Sequence, residues 1–200
     1  MPAAYAELHC VSNYSFLRGA SHPHELVERA GALGYRALAL TDECSLAGVV
    51  RAHLAAKEAG LKLLIGTEVA LADGPRLVLL AADRAGYGEL CALITTGRRR
   101  AHKGFYHLTR ADVQTLGEGV LALLVPDAQP ALEPARWLAG CFPGRAWVTC
   151  TLTHGAGDGE HLATVQALGA AARLPVAAAG DVHMHTRARR ALQDTLTAIR

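Results

Sequence analysis

Short apolar runs recur along the whole chain, and a helical pattern separates almost every one from the next. This alternation constrains the possible folds more than any other feature. The runs are Tyr5–Val11, Ala37–Thr41, a stretch within Leu61–Leu71, Leu77–Ala82, Val120–Val125, Arg145–Leu152 and Val176–Ala179. Each has strand length, and Tyr5–Val11 alternates so that Glu7, His9 and Val11 share one face. Strands separated mostly by helices imply parallel pairing, because a parallel strand can be reached only through a long crossover. An α/β class follows, either an open doubly wound sheet or a closed barrel.

The intervening segments carry helix signals. Ser21 and Pro23 open a helix with Leu26, Val27, Ala30 and Leu33 on one stripe and Gly34 at its close. Leu46–Ala59 ends at Gly60, and further helices are predicted around Tyr87–Thr96, over Thr109–Leu116, Glu133–Ala139, His161–Ala172 and Thr186–Arg200. Asp73-Gly74-Pro75 is a turn. The basic stretch Gly97–Tyr106, with Arg98, Arg99, Arg100, His102 and Lys103, reads as a solvated loop. His154–Gly159 reads as a glycine-rich turn, since it lacks the lysine and the spacing of a phosphate-binding loop.

The polar residues favour the barrel. His9 lies near the end of the first strand, Asp42 and Glu43 just after the second, and Glu68 late in the third. His154 follows the sixth strand, and Asp181 and His183 follow the seventh. A barrel gathers the carboxyl ends of its strands at one mouth, where these side chains would converge. Histidines and carboxylates brought together from several strand ends are what a metal-dependent hydrolase requires. Taken singly, each reads as a cap or a satisfied core group, and only their joint placement points to a site.

Composition excludes several classes. The 200 residues suit one domain over residues 1–200, and no linker or repeat divides them. Twenty basic against 18 acidic residues leave a net charge of +2, far from the basic excess of a dedicated nucleic-acid binder. The five cysteines, Cys10, Cys44, Cys91, Cys141 and Cys150, are odd in number and form no close pair. They read as core thiols of a cytoplasmic protein rather than a disulfide framework or zinc ribbon. Met1–Ala6 shows no leader pattern, and no apolar stretch suits a membrane span. Ser12, Ser15 and Ser45 fit no nucleophile-elbow pattern.

Several segments together carry a resemblance. Glu7–Gly19 resembles the opening motif of PHP domains, with its H-x-H, S-x-x-S and D-G elements. Ala39–Gly48 resembles A-x-T-D-H-x-x-L-x-G, Ile65–Glu68 resembles G-x-E, Leu77–Ala82 the strand of H-L-x-L-L-A, and Val176–His183 the closing V-A-x-x-D-x-H. In order and spacing the chain is similar to the PHP domain at the N-terminus of C-family (DnaE-type) DNA polymerases, and in wording to their error-prone branch. The resemblance implies a distorted (β/α)7 barrel of the PHP type. It implies a parent that is a DNA-directed DNA polymerase of translesion synthesis and damage-induced mutagenesis. The catalytic palm, with its Mg2+, would lie outside these residues, and this segment would hold no catalytic residue, metal or cofactor of its own. Thr186–Arg200 carries no helix stop signal, as expected of part of a longer chain.

Carried over by position, the metal set divides. His9, Asp42, Glu68, Asp181 and His183 match the pattern. Val11 stands where the second histidine of H-x-H belongs, Arg18 replaces the aspartate before Gly19, and Glu43 replaces the histidine after Asp42. Arg76 replaces the histidine that opens H-L-x-L-L-A, and Pro126 a ligand cysteine. Valine and proline have no ligand atom and arginine repels a cation, so a degenerate site is expected. Crowded carboxylates left by the metals would be expected to recruit Arg18 or Arg76 to Asp42, Glu68 or Asp181. The implied partners are the remaining domains of the polymerase, primer–template DNA, a sliding clamp and a Y-family-like accessory subunit, with no membrane. The alternative function is an active metal-dependent phosphoesterase, either a 3'-5' exonuclease or a small-molecule phosphatase.

Overall fold

The computed structural model describes residues 4–200, so the leader reading over Met1–Ala6 lies in part outside the described residues. The seven strands follow one another in sequence order, β1 to β7. The chain divides into two compact units, one containing the residues up to Thr67 together with Asp181–Arg200, the other Glu68–Gly180.

In the first unit β1 (Ala6–Cys10), β2 (Ala37–Leu40) and β3 (Lys62–Ala70, which runs on into the second unit) pair in parallel. The crossovers are α1 (Pro23–Ala32) and α2 (Val49–Ala59). Proline suits the first turn of α1, where its missing N–H would have had no partner, and His22 with Glu25 forms a capping box. The predicted stripe of Leu26, Val27 and Ala30 is buried against Leu38, Leu40, Ala52 and Ala56. Leu33, assigned to the same stripe, is exposed because the helix ends before it, at Ala32. Gly60 closes α2 in the left-handed conformation its sequence position suggested.

The second unit holds β4 (Arg76–Ala81), β5 (Val120–Val125), β6 (Ala146–Cys150) and β7 (Val176–Ala178). Helices α3 (Arg84–Arg99), α4 (Arg110–Val113), α5 (Leu132–Cys141) and α6 (Asp158–Ala172) connect them. β5, β6 and β7 are parallel, but β4 runs antiparallel to β5. The expectation of parallel pairing therefore fails at β4. The connection that enters β4 from β3 is the short Asp73-Gly74-Pro75 turn, where a parallel strand would need a crossover of about a dozen residues, so β4 enters reversed. The basic stretch also differs from its reading as a loop, since α3 continues through Arg99. Arg98 lies over the Tyr106 ring, and Arg100 pairs with Asp112 at 2.7 Å. The five cysteines are free thiols, and no helix among the described residues is long and apolar enough to cross a membrane. After a 3₁₀ turn at Arg187–Arg189, the last helix, α7, spans Arg190–Ile199.

Two glycines of α3 differ in a testable way. A Cβ on Gly86 would stand 1.8 Å from the Gly119 carbonyl oxygen, whereas nothing lies within 4 Å of one on Gly88. Gly86→Ala should therefore destabilise the protein by about 1–3 kcal/mol by forcing the helix off its neighbour. Gly88→Ala should stabilise it by about 0.5–1 kcal/mol through helix propensity. Chemical denaturation of the two variants checks both signs.

Candidate functional site

The sequence places the candidate side chains of the first unit on three adjoining segments. The segment after β7 lies parallel to the end of β1: the Val182 N–H donates to the His9 carbonyl and the Val11 N–H to the Val182 carbonyl, each at 2.9 Å. This lattice sets Asp181 and His183 beside His9. Asp181 Oδ1 lies 3.0 Å from His183 Nε2 and 3.5 Å from His9 Nε2. Asp181 reaches this position with φ of 45°, a left-handed conformation that costs a non-glycine residue about 1 kcal/mol or more. The D-x-H pair thus brings two imidazoles to one carboxylate oxygen, donor types that a transition-metal ion uses.

Asp42 serves a different purpose. It is buried, and its Oδ1 accepts from the Ser12 N–H and the Ser15 hydroxyl, both at 2.7 Å, while Oδ2 accepts from the Ser12 hydroxyl at 2.8 Å. Burial pushes its carboxyl above the usual range, and the bonds from Ser15 and Ser12 pull it back only in part. The two serines gave no nucleophile signal in the sequence and carry none here. They are the donors that let a carboxylate remain inside. Gly19 closes the same loop, for a Cβ there would meet the Ser12 carbonyl oxygen at 2.1 Å.

The loop held by Asp42 presents Arg18. Its Nη1 donates to Glu43 Oε2 at 2.9 Å, with the Arg18 side chain 8% and that of Glu43 31% exposed. The guanidinium–carboxylate pair formed here is with Glu43, which is not one of the three acids expected to receive it. Leu17 and Cys44, which flank the pair, adopt left-handed φ values of 60° and 44°. Val11, two residues after His9, is wholly buried and apolar. Burial, then the carboxylates of Glu7, Asp42 and Asp181, push the Cys10 thiol up, so it is no nucleophile.

The remaining candidates lie in the second unit. Glu68 is buried on β3. Arg76 opens β4 half-buried, opposite Val125, so the substituted positions Arg76 and Pro126 belong to the same end of the β4–β5 pair. His154 is exposed, and its N–H donates to Asp158 at 2.8 Å. Asp158 also accepts from the Thr153 N–H at 3.2 Å, so a carboxylate fills the place where a phosphate would sit at the start of α6.

The profile of the PHP domain matches residues 7–143. The chain belongs to the PHP domain family. It is 57% identical over 201 residues to an error-prone DNA polymerase of Dechloromonas aromatica, a match covering 98% of this chain and 20% of that one. It is 58% identical over 199 residues to the error-prone DNA polymerase of Methylococcus capsulatus, covering 99% and 19%. The PHP chain thus spans about a fifth of the length of these curated relatives. Two solved structures share its fold at a TM-score of 0.68. One is a candidate metal-dependent phosphoesterase of Bifidobacterium adolescentis, 17% identical, covering 91% of this chain and 88% of that one. The other is an amidohydrolase of Chromobacterium violaceum, 19% identical, covering 90% and 88%. The seven-stranded α/β fold of the PHP type is therefore the fold of this chain.

Two predictions follow from the geometry. Arg18→Ala should destabilise the domain by about 2–4 kcal/mol, more than the 0–1 kcal/mol of an exposed pair, because the guanidinium is buried. The second concerns pH. A carboxyl whose pKa is raised on folding binds more protons in the folded than in the unfolded state, so stability is lost as pH rises through the window between its ordinary and its raised value. The stability of the native protein relative to Asp42→Asn should accordingly increase as pH falls through that window and level off below the ordinary aspartate range. Melting temperatures of the two proteins across acidic pH give the comparison.

Proposed function

We propose that this PHP domain is a structural part of an error-prone DNA-directed DNA polymerase of translesion synthesis and damage-induced mutagenesis, and that its phosphoesterase chemistry has been lost. The observation that carries the reading is the Arg18–Glu43 ion pair, formed by two positions where the resemblance implies metal ligands. A multi-metal cluster does not suit this residue set. Val11 and Pro126 offer no donor, and Arg18 brings a positive charge to the loop beside the remaining ligands. The high identity to error-prone polymerases supports the parent activity, which would reside in a palm domain with Mg2+ outside these residues. Primer–template DNA, a sliding clamp and a Y-family-like accessory subunit would then be partners of the whole polymerase. The free cysteines agree with a cytoplasmic setting.

One observation favours the second reading, an active metal-dependent phosphoesterase. The convergence of His9 and His183 on Asp181 keeps three donors together. Metal analysis and a phosphatase assay in manganese separate the two readings. The structural reading predicts no stoichiometric zinc, manganese or iron after dialysis, no phosphatase or exonuclease turnover, and no primer extension by these 200 residues alone. Turnover abolished by His9→Ala or Asp181→Ala would establish the second reading instead.

A further inference from the structure

Helix α7 has no buried residue, although Leu192, Leu196 and Ile199 recur along one of its faces at the spacing of an apolar stripe. A helix of ten residues is too short to persist in water by propensity alone, where about 12–15 are needed, so its apolar face must gain from packing. Part of that packing is visible. Leu192 and Leu196 form one wall of a groove of about 240 Å³, whose other wall is Phe16, Leu17 and Ala20. The groove remains open: Phe16 on its wall is 84% exposed, and Ile199, further along the face of α7 that carries Leu192 and Leu196, is 65% exposed.

Both walls are fixed from within the first unit. The Phe16 wall hangs on the bonds of Ser12 and Ser15 to Asp42. The base of α7 is tied to the start of α1, where Arg189 pairs with Glu25 and His185 Nδ1 meets the Ser21 hydroxyl at 2.8 Å. A rigid, open, apolar concavity is what a docking site offers, because little ordering entropy is left to lose on binding.

We propose that this groove, together with the apolar face of α7 that continues to Ile199, is where the domain receives an apolar segment of the same polymerase chain from outside these 200 residues. The inference rests on the structural role proposed above and names the surface that performs it. The relatives' length argues for this occupant: about four-fifths of chains so similar to this one lie outside the matched segment and offer a covalently tethered partner at high local concentration. The exposed apolar pair Val50 and Leu54 lies on a different helix, α2, and serves as the control.

The test uses the full-length polymerase carrying this domain, with a photo-crosslinking amino acid at position 16, 199 or 54 in turn. Crosslinks from 16 and 199 to peptides of the same chain outside residues 1–200, at a yield several-fold above that from 54, are expected. Silence at 16 and 199, or capture of a second copy or another protein there, overturns the proposal. If position 54 captures the polymerase and the groove does not, the surface is wrong and the structural role survives. If deleting the 200 residues leaves the primer extension and melting temperature of the polymerase unchanged, the structural role itself fails, and the docking proposal with it.

Discussion

A carboxylate taken out of water has to be satisfied by the groups around it, and the loop after β1 is built on that demand. Asp42 receives the Ser12 N–H, the Ser12 hydroxyl and the Ser15 hydroxyl, so the chain between them has little freedom. Its path then forces Leu17 into a left-handed conformation, leaves no room for a side chain at Gly19, and turns Arg18 inward onto Glu43. Removing the hydroxyls would strand a buried charge and free the whole loop. The arginine and the apolar groove wall therefore both depend on one buried acid.

The second constraint is the pairing of Val182 with the end of β1. Two backbone hydrogen bonds hold Asp181 and His183 against His9, and the left-handed φ at Asp181 is the cost of that placement. In an active member of this fold such geometry would serve ligands. Here the same framework surrounds a buried valine and an internal ion pair, and these two features are the ground for proposing that the scaffold has outlasted its chemistry.

Much of this was legible in the sequence because local rules dictate the residues involved. Gly48 admits no Cβ without crowding Asp42, Pro23 and Leu40, which accounts for the glycine that closes the Ala39–Gly48 motif. The D-x-H at Asp181 and His183 falls where the closing strand leaves it. The direction of β4 was not legible from its apolar run, because alternation and burial are the same in both directions; only the short connection after β3 carried that information. The extension of α3 through Arg99 was hidden by charge, although arginine is a good helix former and its exposed positions suit it. The Arg18–Glu43 pair has no local signal at all, since its members stand 25 residues apart and are joined only by folding. It could be suspected solely as two departures from a single ligand pattern.

The central claim is that an internal ion pair and a buried valine have taken the place of ligands in this domain. Calorimetric titration of Mn2+ into the native protein and into a variant carrying Val11→His, Arg18→Asp and Glu43→His tests it most directly. The account predicts that the restored variant binds manganese far more tightly than the native protein, which shows no stoichiometric uptake. Native binding as tight as that of the restored variant would contradict it.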